Sequence, residues 1–296
     1  DDPANLVVVD NFFLGKDSNL RDARRRFPSL RVIRSDATRL RALREILAEN
    51  ATEIVFHLAV VPLPASLVRP RWASSQNIQM SLVLCELLRQ GRYRTLIQFS
   101  SSEVYGTAGE EEIDESHPLE PRTPYAASKA AADQLALSYA RTFGAEIMII
   151  RPFNAYGPRQ NEGRYAGIVP LTVKRILDGK PPIIFGDGFQ TRDYSHVSDI
   201  ADAAVRLSKT DRALGRVVQI GSGVETRILD LVRLLRAHLR GREEIRFEPS
   251  RPGDVLRHKA DLKQIRDLIG FRPRVSLEKG LARTADWYRR LFASGS

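Results

Sequence analysis

Short apolar runs alternate along the first half of the chain with longer segments whose apolar positions recur every three or four residues. The run Asn5–Asp10 is an unbroken stretch of Leu and Val that closes on an acid, followed by Asn11 and a loop around Gly15. Uninterrupted apolar runs of this length predict a strand buried on both faces. A polar, arginine-rich helix over Ser18–Phe27, a strand at Leu30–Ile33, a turn at Ser35–Asp36–Ala37, a helix over Thr38–Asn50 and a strand at Glu53–Leu58 follow. The same rhythm continues with a helix over Ala73–Arg89, a strand at Thr95–Phe99, a helix over Pro124–Phe143 and a strand at Ala145–Arg151. Strands separated by helices of this length pair in parallel through right-handed crossovers and place ligand sites at their carboxyl ends. The expected fold class is α/β, a doubly wound parallel sheet.

From Pro152 the rhythm breaks, and glycines and prolines from Gly157 to Gly188 punctuate short segments. We expect a smaller, mixed region here, with a helix over Val169–Asp178, a strand at Ile183–Phe185, a segment Tyr194–Leu207 that rejoins the first region, a strand at Val217–Ile220 and helices at Ile228–Leu239 and Leu277–Arg290. The expected division is 1–155 for the first region, with 190–215 returning to it, and 156–189 plus 216–296 for the second.

Composition narrows the function classes. The chain has 296 residues, 43% of them apolar, and its strongly apolar runs are strand-sized, so no membrane span is expected. Cys85 is the single cysteine, which excludes an internal disulfide, and five scattered histidines without close pairing offer no metal constellation. With no charged-then-apolar leader at its start, the cytoplasm is the expected compartment. The net charge of +10 raises the question of nucleic acid. Basic residues are spread from Arg21 to Arg290 without interleaved aromatics, so nucleic acid is not expected as a partner. A few arginines converging on a phosphorylated small molecule are the alternative use of that charge.

The most informative heptad is Thr123–Pro124–Tyr125–Ala126–Ala127–Ser128–Lys129. Thr123 caps a helix and Pro124 suits its first position, so Tyr125 and Lys129 fall at i and i+4 on one face. An ammonium near a phenol favours the phenolate, lowering its pKa from about 10 and poising the tyrosine as a general base. Upstream, the strand at Leu96–Phe99 delivers Ser100, Ser101, Ser102 and Glu103 to the same expected carboxyl edge.

This order and spacing resembles the extended short-chain dehydrogenase/reductase family, in its NAD-dependent nucleotide-sugar epimerase/dehydratase branch, over nearly the whole chain. The resemblance implies a Rossmann-like fold with NAD as cofactor, in which Asp10 and Asn11 meet the adenosine ribose, Asp36 and Ala37 the adenine, and Leu58 and Ala59 the phosphates. Asn77 resembles the asparagine that opens the following helix; Ser100, Phe153, Tyr125 and Lys129 complete the cofactor side. On the substrate side, Ser101 and Asn154 would hold the sugar, Ile184 and Phe185 the base, and Arg192 and Arg251 the diphosphate. His258, bulky at the place expected beside the sugar 2-substituent, would disfavour N-acetylated sugars, and Val60–Pro64 departs from the usual small residues over the sugar. Such folds open with a strand and a glycine-rich turn, which is absent here, and their second strand ends in the ribose acid. Asn5–Asp10 is therefore expected to be the second strand, with roughly 30 residues of the pattern lying before it.

The implied chemistry is epimerisation of a nucleotide-diphosphate sugar, with a UDP-sugar first in order, at C4 through a transient 4-keto sugar. Ser101, Tyr125 and Lys129 carry it, and Glu103 is a further catalytic candidate. Decarboxylation of a UDP-hexuronate is the runner-up. A 4,6-dehydratase ranks third, because Ser102 stands where dehydratases have an aspartate. A catalytically silent NAD-binding protein is the non-enzyme alternative. The family's usual homodimer is expected, formed through the helices over Ala73–Arg89 and Pro124–Phe143.

Overall fold

The computed structural model describes residues 5–109 and 111–293. The first region contains β1 (Val7–Asp10), α1 (Arg21–Arg26), β2 (Arg31–Arg34), α2 (Leu40–Glu49), β3 (Ile54–His57), α3 (Leu63–Val68), α4 (Pro70–Arg89), β4 (Thr95–Phe99), α5 (Pro124–Phe143) and β5 (Glu146–Pro152). There follow β6 (Asn154–Tyr156), α6 (Ile168–Leu177), β7 (Ile183–Phe185), β8 (Thr191–His196), α7 (Val197–Leu207), β9 (Val217–Ile220), β10 (Glu225–Arg227), α8 (Ile228–Leu239), β11 (Arg246–Glu248), α9 (Lys263–Ile269) and α10 (Leu277–Ala293).

All-parallel pairing joins β3, β4, β5 and β9 in that order, while β1 and β2 form a separate parallel ladder. Alternation along the strands explains the two layers of helix. Leu96, Ile147 and Ile149 point to one face, where Leu43 and Leu47 of α2, Val83 and Leu87 of α4 and Ala136 of α5 cover them. Their neighbours Ile97, Met148 and Ile150 point to the other, against Ile200, Ala203 and Leu207 of α7 and Ile265 of α9. Covering both faces is what makes the strands read as continuous apolar runs.

The second region is built on a three-stranded sheet ordered β10, β8, β6 and a parallel pair of β7 and β11. Its core gathers Val169 and Val173 of α6, Leu231 and Leu235 of α8, and Leu281 and Ala285 of α10. Val217–Ile220, expected with the second region, instead pairs with β5 in the large sheet. The Val60–Pro64 segment, expected as an altered roof, leads into α3, where Pro62 and Pro64 favour the first turn of a helix. Likewise α4 begins at Pro70, three residues before the expected Ala73.

Candidate active site

Parallel pairing brings the carboxyl ends of β3, β4 and β5 to one edge of the sheet. There, Ser101 caps a single turn of 3₁₀ helix over Ser102–Tyr105, its Oγ accepting the Glu103 N–H at 3.2 Å. Opposite it, Thr123 caps α5 by accepting the Ala126 N–H at 3.2 Å, and Pro124 fills the first helical position. Tyr125 therefore enters the first turn of α5, where its phenol stands beside the Ser101 hydroxyl, a neighbour that favours the ionised form. Lys129, one turn further on, is 3% exposed and donates from Nζ to the Phe99 carbonyl at 2.6 Å.

The electrostatics correct one expectation. Burial pushes the Tyr125 phenol up to about 12; the Ser101 hydroxyl pulls it down, and Glu103 and Asp133 add to the rise. The ring keeps part of its surface exposed. Lys129 was expected to draw the phenol toward neutral pH. Its ammonium is instead anchored on the backbone, and burial lowers it to about 8 against the opposing pull of Asp133. The Glu103 carboxyl, half-buried, is raised by burial, with Arg192 opposing and Asp254 reinforcing. Glu103 thus shares its surroundings with Tyr125 on one side and Arg192 on the other.

On the expected cofactor side, Asp10 ends β1 and accepts the Phe12 N–H at 2.7 Å. Its second carboxylate oxygen lies over Gly15, where an added Cβ would come within 2.6 Å. Asp36 accepts the Thr38 N–H at 2.9 Å, and its carboxyl is held low chiefly by that bond, with burial opposing and Asn11 assisting. Two carboxylates with an amide between them suit ribose hydroxyls. Ala37 is half-buried beside them, and Leu58 and Ala59 are exposed past the end of β3. Lys129 has three N–H donors, one of them on Phe99, which leaves hydrogen-bonding capacity toward a ribose. The donor and acceptor set therefore fits NAD, with Asp10, Asn11 and Asp36 at one end and Tyr125 and Lys129 at the other.

Three cofactor-side residues depart from expectation. Asn77 lies within α4 rather than opening a helix, and its amide brackets Val61 by accepting that residue's N–H at 2.8 Å and donating to its carbonyl at 3.1 Å. It also donates to the Ser128 hydroxyl at 3.0 Å, so its side chain pins the loop after β3 to α5. The Ser100 hydroxyl donates to Asp133 at 2.8 Å and faces inward. Phe153 is 1% exposed and belongs to the sheet core, its ring edge-on to His258.

On the substrate side the strand alternation of β7 separates two residues expected together. Ile184 is fully buried in the second core, whereas Phe185 faces outward beneath the Arg251 guanidinium, 3.7 Å from its ring centroid. Only Phe185 can offer a ring face to a base. Arg192 lies on β8, 7% exposed, and is ion-paired with Asp254. Asn154 opens β6 with its amide nitrogen buried and without a hydrogen-bond partner, a donor available to a ligand. His258 is wholly buried, with Nε2 2.7 Å from the Gly106 carbonyl oxygen and Nδ1 3.5 Å from the Ser102 hydroxyl. It cannot press on a sugar substituent, and the expected bias against N-acetylated sugars loses its basis. Residues the sequence left unassigned are Asp133, Arg151 and Asp254; the only signal for them was an acid four residues beyond Lys129 and a second acid in Arg251–Asp254. Among the described residues no cluster of His, Cys, Asp or Glu is placed to hold a metal ion, and no helix is long and apolar enough to cross a membrane.

The model of the NAD dependent epimerase/dehydratase family matches residues 3–221. The chain is 32% identical over 294 residues to a UDP-glucose 4-epimerase of Mycolicibacterium smegmatis, covering 97% of this chain and 92% of that protein. It is 34% identical over 287 residues to a dTDP-glucose 4,6-dehydratase of an Actinoplanes species, covering 96% and 88%. The crystal structure of UDP-glucose 4-epimerase with UDP-glucose from Thermotoga maritima superposes with a TM-score of 0.90 at 29% identity, over 97% of this chain and 92% of that one. The chain therefore belongs to the NAD dependent epimerase/dehydratase family, a branch of the extended short-chain dehydrogenases/reductases, and NAD is its cofactor.

Proposed function

We propose that the protein epimerises a nucleotide-diphosphate sugar at C4, with a UDP-hexose or UDP-hexuronate as substrate. The observation that carries this reading is the placement of the Ser101 hydroxyl beside the Tyr125 phenol at the carboxyl edge of the sheet, with Lys129 anchored on the Phe99 carbonyl one turn behind. NAD, held by Asp10, Asn11 and Asp36 at one end and by Tyr125 and Lys129 at the other, would supply reversible hydride acceptance at the sugar carbon. Tyr125 receives the C4 hydroxyl proton, and Ser101, beside the phenol, holds the same sugar oxygen and relays that proton. Because the phenol lies high, ionising it at neutral pH requires nearby positive charge, which the positive nicotinamide ring would supply together with the Lys129 ammonium one turn away.

Arg192 and Arg251 hold the diphosphate, the base rests toward Phe185, and the unpartnered Asn154 amide donates to the sugar. Tethering at the diphosphate leaves the keto sugar free to turn and present its other face, so that hydride return inverts C4 with no net redox change. A soluble homodimer is the assembly we expect.

Glu103 favours a second reading. A half-buried carboxyl raised toward its protonated form beside Tyr125 is not required for inversion at C4. It would serve a keto sugar that goes on to lose CO2 or water. Ser102 is turned inward toward His258 and supplies no acid, so decarboxylation of a hexuronate ranks above dehydration. Incubation of the full-length protein and NAD with UDP-glucose and with UDP-glucuronate, products resolved by NMR, separates these. C4-inverted UDP-sugars support the proposal, CO2 release promotes decarboxylation, and a 4-keto-6-deoxy product promotes dehydration.

A further inference from the structure

Tyr125, Lys129 and Asp133 follow at four-residue intervals along α5 and share one helical face. Asp133 is fully buried, and three donors converge on its carboxylate. The Ser100 hydroxyl donates at 2.8 Å, Arg151 Nε at 2.9 Å and the Gln98 amide at 3.4 Å. Gln98 and Ser100 flank Phe99, whose carbonyl takes the Lys129 ammonium. Arg151 arrives from β5 with its guanidinium 4.9 Å from the Tyr105 ring centroid. One carboxylate thus ties the helix bearing Tyr125 and Lys129 to the ends of both neighbouring strands. Packing alone does not call for a charge here, because well-packed apolar residues replace buried ion pairs at little cost.

We propose that Asp133 is a positioning residue of the active site: gathering Ser100, Gln98 and Arg151, it sets the strand end carrying Ser101 against α5 and supplies the countercharge beneath the Lys129 ammonium. This rests on the reading of Ser101, Tyr125 and Lys129 given above. The charged and titratable groups that face Lys129 are His57 at the end of β3 and Asp133 on its own helix, with Tyr125 one turn before it; Arg151 reaches from β5 to the Asp133 carboxylate. His57 is held neutral by burial and by Lys129 itself, and Arg151 is a cation. Asp133 is the group that offsets the burial of the ammonium.

The test uses the NAD-bound full chain with 13C-labelled lysine, following the Lys129 side chain by NMR alongside the pH profile of turnover. The double variant Asp133→Asn/Arg151→Gln removes both charges together and leaves no buried ion unpaired at that position. We expect Lys129 to titrate about one pH unit lower, a roughly tenfold loss of ammonium above its midpoint. The alkaline limb of kcat/KM moves by the same amount. Asp133→Glu, which keeps the charge, is expected to titrate as the unaltered protein does; it serves alone if the double variant does not fold, and a Lys129 midpoint displaced by about a unit in it contradicts the proposal. So does an unmoved midpoint in the double variant, or a rate loss equal at every pH. Absence of nucleotide-sugar turnover in the unaltered protein would overturn the proposed function while leaving the Lys129 titration to judge Asp133.

Discussion

The Lys129 ammonium is fixed to the Phe99 carbonyl at 2.6 Å, so the position of the cation one turn from Tyr125 is set by the strand end and not by the phenol. The helix and the strand therefore act as one unit. Tyr125, Ser101 and Lys129 are held in mutual reach before any ligand arrives, which is the preorganisation that proton transfer requires.

Tyr125→Phe removes one oxygen from a partly exposed ring and leaves the packing of α5 unchanged. We expect turnover of the nucleotide sugar to fall by about 10²–10⁴, the usual range for a proton-transfer group. Thermal unfolding should stay close to that of the unaltered protein. Steady-state kinetics with calorimetry on the same preparation checks both, and retained turnover excludes Tyr125 as the proton acceptor.

Lys129 is lowered by burial to about 8 from its ordinary 10.5. Between those values the unfolded chain still carries a proton that the folded chain has released, so stability rises with pH across that window. Activity runs the other way, because the ammonium is lost: kcat/KM is expected to decline above about pH 8. A profile flat through pH 10 would show that the charge of Lys129 is not used.

Arg251 lies exposed over Phe185 and makes no demand on the core. Arg251→Ala should weaken nucleotide-sugar binding by about 1.5–3 kcal/mol, a ten- to hundredfold rise in KM, through loss of charge-assisted hydrogen bonds to phosphate. Cofactor affinity should be unchanged. Titration of each ligand by calorimetry separates the two.

Asp193 is wholly buried and accepts the Ser222 and Gly223 N–H groups at 2.6 and 2.8 Å, the Ala260 N–H at 3.3 Å and the Ser222 hydroxyl at 2.6 Å. Asp193→Ala leaves these donors without an acceptor, and we expect a loss of about 3 kcal/mol or more in chemical denaturation. A change under about 0.5 kcal/mol, the range of ordinary surface substitutions, would contradict that account.

The α/β alternation and the placement of Tyr125, Lys129 and Ser101 were legible because each rests on local rules: apolar runs, a threonine cap, a proline at the first helical position. The rest depends on tertiary pairing that a linear reading does not contain. Phe185 outward and Ile184 inward is a choice of strand face, and a three-residue strand gives too little pattern to make it. His258 and Phe153 were placed by resemblance alone, and the side chains turned to the core. The pairing of Arg192 with Asp254 spans the second region, and the Asp133 hub joins three elements. The segment Val60–Pro64 was placed over the sugar by resemblance alone, whereas Pro62 and Pro64 open α3 and Pro70 opens α4 ahead of the expected Ala73, since proline serves as a helix opener.

The account turns on a hydride that leaves and returns to the same sugar carbon without exchange with solvent. Conversion of UDP-glucose by the full-length protein in D2O, followed by NMR of the product, tests this most directly. We predict UDP-galactose carrying protium at C4 and no deuterium at any carbon. Deuterium in the sugar ring or at C6, or a product that is not the C4 epimer, would contradict it.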